Sequence, residues 1–214
     1  MNRSFITGVD KNHEWMLKWW FTNVTENNPN TAVTICDFGM SSEIREWASY
    51  VADHFIRYEP HPKCAWFYKT QCLLDSPCDQ TCWLDSDCEV LTNIEAIFEY
   101  AKPGKVGLTK DVPRINGEWW ATGVVVVDGT PDILVGWNEV SKKAHLRGDQ
   151  EAFRNMLEQV PEFQNDIVEV PNEYQWLRLQ LARGINNPNK KVIHWTGPRG
   201  KEHIRTLVNA STSK

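Results

Sequence analysis

Short apolar runs ending on a polar or acidic residue alternate with amphipathic stretches along nearly the whole chain, and this alternation most limits its fold. Ser4-Phe5-Ile6-Thr7-Gly8-Val9 reads as a strand apolar enough for a buried parallel position, with Asp10 at its C-terminal end. Glu14 to Asn27 carries Trp15, Leu17, Trp19, Trp20 and Val24 and reads as a helix, ended by the turn residues Asn27-Asn28-Pro29-Asn30. Ala32–Cys36 is a second strand. Ser41-Ser42-Glu43 opens a helix expected to run through Phe55 on the spacing of Ile44, Trp47, Val51 and Phe55. Further along, a strand is expected at Ile56–Tyr58, a helix over Ala65–Leu74, a strand at Thr81–Leu84 and a helical stretch at Ile94–Tyr100. Strands at Val106–Leu108 and Ala121–Val127, a helix from Asp149 to Val160 and a late strand at Lys191–Trp195, broken by Gly197-Pro198, complete the reading.

Strands alternating with helices imply right-handed β-α-β units, so the expected fold class is α/β, a mainly parallel sheet flanked by helices. With 214 residues and no repeat or linker, one domain is expected over residues 1–208, followed by a short C-terminal tail at 209–214. Open sheets of this kind bind ligands outside the carboxyl ends of their strands, so polar residues there are the candidates for chemistry. Neither G-x-G-x-x-G nor G-x4-G-K-[ST] occurs, which sets aside dinucleotide-binding and P-loop readings.

Composition excludes several classes. No run of eighteen apolar residues occurs, so no transmembrane helix is expected. A net charge of -5, from 23 basic and 28 acidic residues, argues against a nucleic-acid partner. The first residues enter a strand pattern without an apolar leader, which suggests a cytoplasmic protein. Five of the six cysteines fall between Cys64 and Cys88, but no C-x2-C pair occurs, so reduced and mostly buried thiols are expected rather than a zinc site. Eleven tryptophans fit either a Trp-rich core or a sugar-stacking surface.

Asp85-Ser86-Asp87 follows the Thr81–Leu84 strand and is the only D-x-D in the chain. Carboxylates at i and i+2 beyond a strand end can reach one divalent ion, and hard oxygen donors suit Mn²⁺ or Mg²⁺, which would bridge phosphate oxygens. The other polar cluster is His194-Trp195-Thr196-Gly197-Pro198-Arg199-Gly200-Lys201. A histidine at a strand end can be a third metal ligand. Glycines at 197 and 200 let backbone N–H groups approach phosphate, and Arg199 and Lys201 add positive charge.

Trp83-Leu84-Asp85-Ser86-Asp87 and His194-Trp195-Thr196-Gly197-Pro198 resemble the two metal and diphosphate motifs of retaining glycosyltransferases of the glycogenin and lipopolysaccharide galactosyltransferase type, family 8, whose members have the GT-A fold. Thr7-Gly8-Val9-Asp10-Lys11-Asn12 resembles the opening nucleoside-binding segment, Thr122-Gly123-Val124-Val125 the Asn-Ala-Gly-Val strand, and Gly148-Asp149-Gln150-Glu151 the Asp-Gln-Asp helix start. The resemblance implies a transferase that moves a sugar from a UDP-sugar donor to a carbohydrate or other hydroxyl acceptor, with Mn²⁺ or Mg²⁺ as cofactor and retention of configuration. It implies that Asp10 and Asn12 contact uridine or ribose, and that Asp85 binds ribose and metal. Asp87 and His194 become metal ligands, Gly197 and Lys201 hold the diphosphate, Asp149 and Gln150 face the transferred sugar, and Lys69 reaches the phosphates. Two departures stand out: Ala121 replaces the family's asparagine, and Gly200 stands where a basic residue is expected, with Lys201 one position later. The competing readings are a sugar nucleotidyltransferase, for which the Gly-rich basic loop after the first strand is missing, and a catalytically silent carbohydrate-binding protein.

Overall fold

The computed structural model describes residues 2–59, 64–112, 119–143 and 148–212. In chain order the strands are β1 (Arg3–Val9), β2 (Ala32–Asp37), β3 (His54–Arg57), β4 (Gln80–Leu84), β5 (Cys88–Val90), β6 (Val106–Lys110), β7 (Trp120–Asp128), β8 (Ile167–Glu169), β9 (Trp176–Leu177) and β10 (Val192–His194). The helices are α1 (Leu17–Asn27), α2 (Ser42–Val51), α3 (Lys69–Leu74), α4 (Asp132–Lys143), α5 (Asp149–Gln159), α6 (Arg178–Ala182) and α7 (Gly197–Thr212). Seven strands form one sheet in the order β3-β2-β1-β4-β7-β6-β8, and β5-β10-β9 form a second, smaller one.

The large sheet is parallel except for β7, which runs against both β4 and β6. The expected mainly parallel α/β sheet is therefore what forms. The valine run of β7 reflects burial on both faces and is silent about direction. Side chains alternate across the sheet: Phe5, Val33, Ile35, Cys82, Leu84, Val124 and Val126 face one core, with Leu17, Trp20 and Val24 of α1 and Ala48 of α2. Ile6, Cys36, Trp83, Val106, Leu108, Val125 and Val127 face the other, with Cys72 and Leu73 of α3, Ile133, Leu134 and Trp137 of α4, and Phe153 and Met156 of α5. Among the described residues no helix is long and apolar enough to cross a membrane.

Four expectations change. The helix opened by Ser41 is capped as anticipated, its Oγ accepting from the Ile44 N–H at 3.4 Å, but it ends at Val51 because Ala52 turns extended, with ψ 143°. Asp53 then takes the Val33 N–H at 2.8 Å, and Phe55 enters β3 instead, opposite Ile35. The helical spacing of Phe55 is shared by an edge strand that packs the same ring onto the same core. The strand expected at 56–58 accordingly begins at His54. Helix α4 has no counterpart in the sequence reading, although Pro131, Asp132 in the first turn and Lys142-Lys143 in the last are helix-boundary chemistry. Finally, Gly197-Pro198, read only as a break after the last strand, opens the first turn of α7, which continues to Thr212.

Gly197 enters that turn with φ +77°, a conformation side chains resist. Gly200 is needed for space: a Cβ there would lie 1.8 Å from the Trp195 carbonyl oxygen.

All six cysteines are thiols; five are buried and Cys64 is half-buried. Burial pushes the Cys72, Cys82 and Cys88 thiols up, away from the reactive thiolate. In thiol titration of the native protein we expect only Cys64 to react promptly, with all six appearing after denaturation. Several fast thiols in the native state would contradict the packing described.

Candidate functional site

The carboxyl ends of β1 and β4 lie side by side, because the two strands pair in parallel, and Asp10 and Asp85-Ser86-Asp87 follow them directly. The chain then turns into β5, which pairs antiparallel with β10 so that His194 sits opposite Cys88. The Trp195 N–H closes this turn by donating to the Asp87 carbonyl at 2.9 Å, and the Asp85 N–H donates to Gly123 of β7 at 2.8 Å. The D-x-D turn and the late histidine are thus brought together as the sequence reading required.

His194 Nε2 lies 3.2 Å from Asp87 Oδ1 and 3.7 Å from Asp85 Oδ2. Ligand atoms sharing one ion at bond lengths of about 2.0–2.6 Å fall at such separations. One atom from each of the three side chains lies within 4.8 Å of the others, the only such cluster among the described residues. Two lysines hold the carboxylates from outside. Lys201 Nζ donates to Asp87 Oδ2 at 2.9 Å. Lys69, 1% exposed, donates to Asp85 Oδ1 at 2.9 Å, Asp149 Oδ2 at 2.8 Å and the Thr122 carbonyl at 2.8 Å. Its three N–H bonds are all engaged within the protein, so it acts by joining two carboxylates.

The charges tune one another. Burial alone would raise the Asp87 carboxyl, but His194 and Lys201 outweigh it and hold it well below the usual carboxylate range. Burial raises Asp85, against the pull of Lys69 and His194. Burial would lower His194 and Lys69, but the neighbouring carboxylates raise both.

These groups open into a cleft of about 630 Å³. Of the expected site residues, Asp10, Lys69, Asp85, Asp87, Asp149, Gln150, His194 and Lys201 line it; Asn12 and Gly197 do not. Asn12 is exposed and instead donates its N–H to Asp10 Oδ1 at 3.0 Å. Arg199 is also outside the lining, whereas Lys201 is in it. Gln150 Nε2 donates to the Trp120 carbonyl at 2.8 Å and to Asp111 Oδ2 at 2.9 Å. The tryptophans divide: Trp20, Trp83, Trp120, Trp137 and Trp176 are buried, while Trp66 is 42% exposed at the cleft wall.

Sequence reasoning missed His13, Asp111 and Gln175. His13 Nδ1 lies 2.7 Å from Asp10 Oδ1 at the cleft wall. Gln175, 2% exposed, has Nε2 3.2 Å from His194 Nδ1, while its Oε1 accepts the Val124 N–H at 2.9 Å and the Thr109 hydroxyl at 3.0 Å. Gly123 makes room for this pair, since a Cβ there would meet His194 Cε1 and Nδ1 at 2.4 Å and Gln175 Nε2 at 2.8 Å. An isolated glycine inside a valine strand is a signal for such close approach.

No family model and no curated protein matches the sequence. Solved structures do. The galactosyltransferase LgtC, in complex with donor and acceptor sugar analogues, superposes with a TM-score of 0.70 at 16% identity, over 97% of this chain and 95% of that one. The glycosyltransferase GlyE of Streptococcus pneumoniae TIGR4 gives 0.71 at 14%, over all of this chain and 64% of that one. The bifunctional glycosyltransferase WbbM gives 0.66 at 12%, over 92% and 46%. The chain has the fold of these glycosyltransferases, the GT-A architecture that the motif resemblance implied.

Two substitutions test the construction. Gly123→Ala is expected to push the His194 ring off its position and weaken Mn²⁺ binding by about tenfold or more, the scale at which groups behind metal ligands act. Calorimetric titration with Mn²⁺ checks it, and unchanged affinity would mean the ring is not held there. Lys69→Met leaves Asp85 and Asp149 without their shared cation, which we expect to lower unfolding free energy by about 3 kcal/mol. Urea denaturation measures it, and a stable variant would show that the carboxylates tolerate each other.

Proposed function

We propose that the chain is a metal-dependent glycosyltransferase that moves a sugar from a nucleoside-diphosphate donor, UDP-linked, to a carbohydrate or other hydroxyl acceptor, with retention of configuration. The observation that carries this reading is the convergence of Asp85, Asp87 and His194 at the carboxyl end of the sheet, within a cleft of the glycosyltransferase fold. LgtC, in this fold, has been captured with donor and acceptor sugar analogues. Charge supports the reading too. Among the described residues, Asp10, Asp85, Asp87, Asp111, Asp149 and Glu151 line the cleft against Lys69, Lys201 and two histidines, an acidic excess that a cation entering with the diphosphate would offset.

Asp85, Asp87 and His194 would hold that cation, and two carboxylates with one imidazole favour Mn²⁺ over Mg²⁺. A divalent ion bound there neutralises the charge that develops on the departing diphosphate. Lys201, now paired with Asp87, supplies a further positive charge beside the phosphates. Gly197 belongs to the same phosphate end, through the turn that opens α7. Lys69 bridges Asp85 and Asp149, which fixes the wall between metal and sugar. Asp149 and Gln150 face the transferred sugar. The Gln150 amide, anchored on the Trp120 carbonyl and Asp111, orients the sugar ring rather than attacking it. Asp10, with Asn12 and His13 bonded to it, receives the nucleoside.

In the reaction the bond from the anomeric carbon to the diphosphate oxygen breaks. The acceptor oxygen bonds to that carbon on the same face, and its proton passes to the departing phosphate oxygen. Thiols in place of disulfides support a reducing compartment, the cytoplasm.

Asp87→Asn keeps the shape of the side chain and removes its charge. We expect Mn²⁺-dependent UDP binding, read by calorimetry with and without Mn²⁺, to weaken by at least about 100-fold, with hydrolysis of UDP-sugar falling in step and circular dichroism unchanged. Undiminished Mn²⁺-dependent binding would take the ion away from this cluster.

A further inference from the structure

The bonds behind His194 decide which of its ring nitrogens carries the proton. The Val124 N–H can only donate, so the Gln175 atom 2.9 Å from it is the amide oxygen. That oxygen also takes the Thr109 hydroxyl at 3.0 Å. The Gln175 NH₂ group is thereby turned toward His194 Nδ1, at 3.2 Å. An NH₂ group only donates, so Nδ1 has to accept. In the neutral ring the proton then sits on Nε2, the nitrogen that faces Asp87 Oδ1 at 3.2 Å and Asp85 Oδ2 at 3.7 Å. Nε2 is also the nitrogen a metal would need, with its lone pair bare.

Metal-binding histidines ordinarily donate their second ring N–H to an acceptor behind them. Here the group behind is a donor. Turning the amide over would offer its oxygen to Nδ1–H, but it would set NH₂ against the Val124 N–H, leaving a buried backbone donor unpaired. Gly123 leaves no slack for the ring to swing away on its near side.

We propose that Gln175 is a positioning residue for His194: it holds the neutral imidazole with its proton on Nε2, pointed at Asp87, so that a divalent ion enters only as this amide reorients. The second half rests on the metal site proposed above; the first half stands on the hydrogen bonds alone. With the ring neutral and no metal bound, Asp87 is closed by His194 on one oxygen and by Lys201 on the other.

The test uses the full chain, ¹⁵N-labelled and stripped of metal, at alkaline pH raised until the His194 ring, which its carboxylate neighbours hold protonated longer than an ordinary imidazole, is neutral. Long-range ¹H–¹⁵N correlation spectra separate the two tautomers, and the spectrum of His194→Ala assigns the signal. We expect the Nε2–H form in the wild type; an Nδ1–H ring would overturn the proposal. In Gln175→Glu both side-chain oxygens accept, so Val124 and Nδ1–H are satisfied together. The tautomer should invert, and Mn²⁺ affinity by calorimetry should rise by about tenfold. Gln175→Met removes the opposing donor without adding charge, and serves if the buried glutamate prevents folding. It should populate both tautomers and bind Mn²⁺ no more weakly than wild type. An inverted tautomer with unchanged affinity in Gln175→Glu, or weakened Mn²⁺ binding in Gln175→Met, would overturn the link to metal entry. A wild-type protein that shows the Nε2–H ring yet binds no Mn²⁺ refutes the metal site itself, while leaving the hold of Gln175 on His194 supported.

Discussion

A lysine ammonium enclosed by protein, bonded at once to Asp85, Asp149 and a main-chain carbonyl, is the interaction on which the rest of the site depends. A cleft that collects carboxylates from β1, β4 and α5 pushes itself apart unless something buried pulls back. Lys69 does so from α3, on the face of the sheet where α3, α4 and α5 pack. Its ammonium lies 5.6 Å from the centroid of the Trp83 ring, whose indole N–H bonds to Asp85 Oδ1 at 2.7 Å. The acidic turn is therefore anchored in the core before any ligand arrives. The ammonium is consumed in that task, which among the described residues of the cleft leaves Lys201, 31% exposed at its side chain, as the lysine able to change partners.

Much of this was legible in the sequence, for reasons that can be named. Asp85-Ser86-Asp87 and His194 stood out because each ends a short apolar strand, and strand ends on an α/β sheet converge. The register of β5 against β10 then makes them neighbours. The reversal of β7 was hidden because a strand buried on both faces is apolar whichever way it runs. Helix α2 was drawn too long because Phe55 satisfies the helical period and the edge of the sheet equally well. Gln175 left no trace: its role comes from Thr109, Val124 and His194, one on each of three strands, and no local pattern records such a meeting. Gly123 could have been noticed, as a bare position in a run of bulky residues.

The second, smaller sheet is the less conspicuous half of the architecture and the more consequential. The large sheet supplies Asp10 and the acidic turn, and α5 supplies Asp149 and Gln150. Histidine, its amide partner and the lysine bonded to Asp87 all come from the segment built around β9, β10 and the start of α7. Gly200 lets α7 begin close against the Trp195 carbonyl, and that tight corner carries Lys201 back toward Asp87. Trp195 also pins the corner to β5, its indole N–H reaching Glu89 at 2.8 Å.

Those closures span long stretches of chain: 106 residues separate Trp195 from Glu89, and 114 separate Lys201 from Asp87. Loop closures of that length are made late, after local helices and neighbouring strands have formed. Synthesis proceeds from the N-terminus, so the sheet order β3-β2-β1-β4 is available while the ribosome is still adding the segment that holds the histidine. The acidic turn can therefore form before its imidazole and its outer lysine, and the centre is complete only once β10 and α7 have docked.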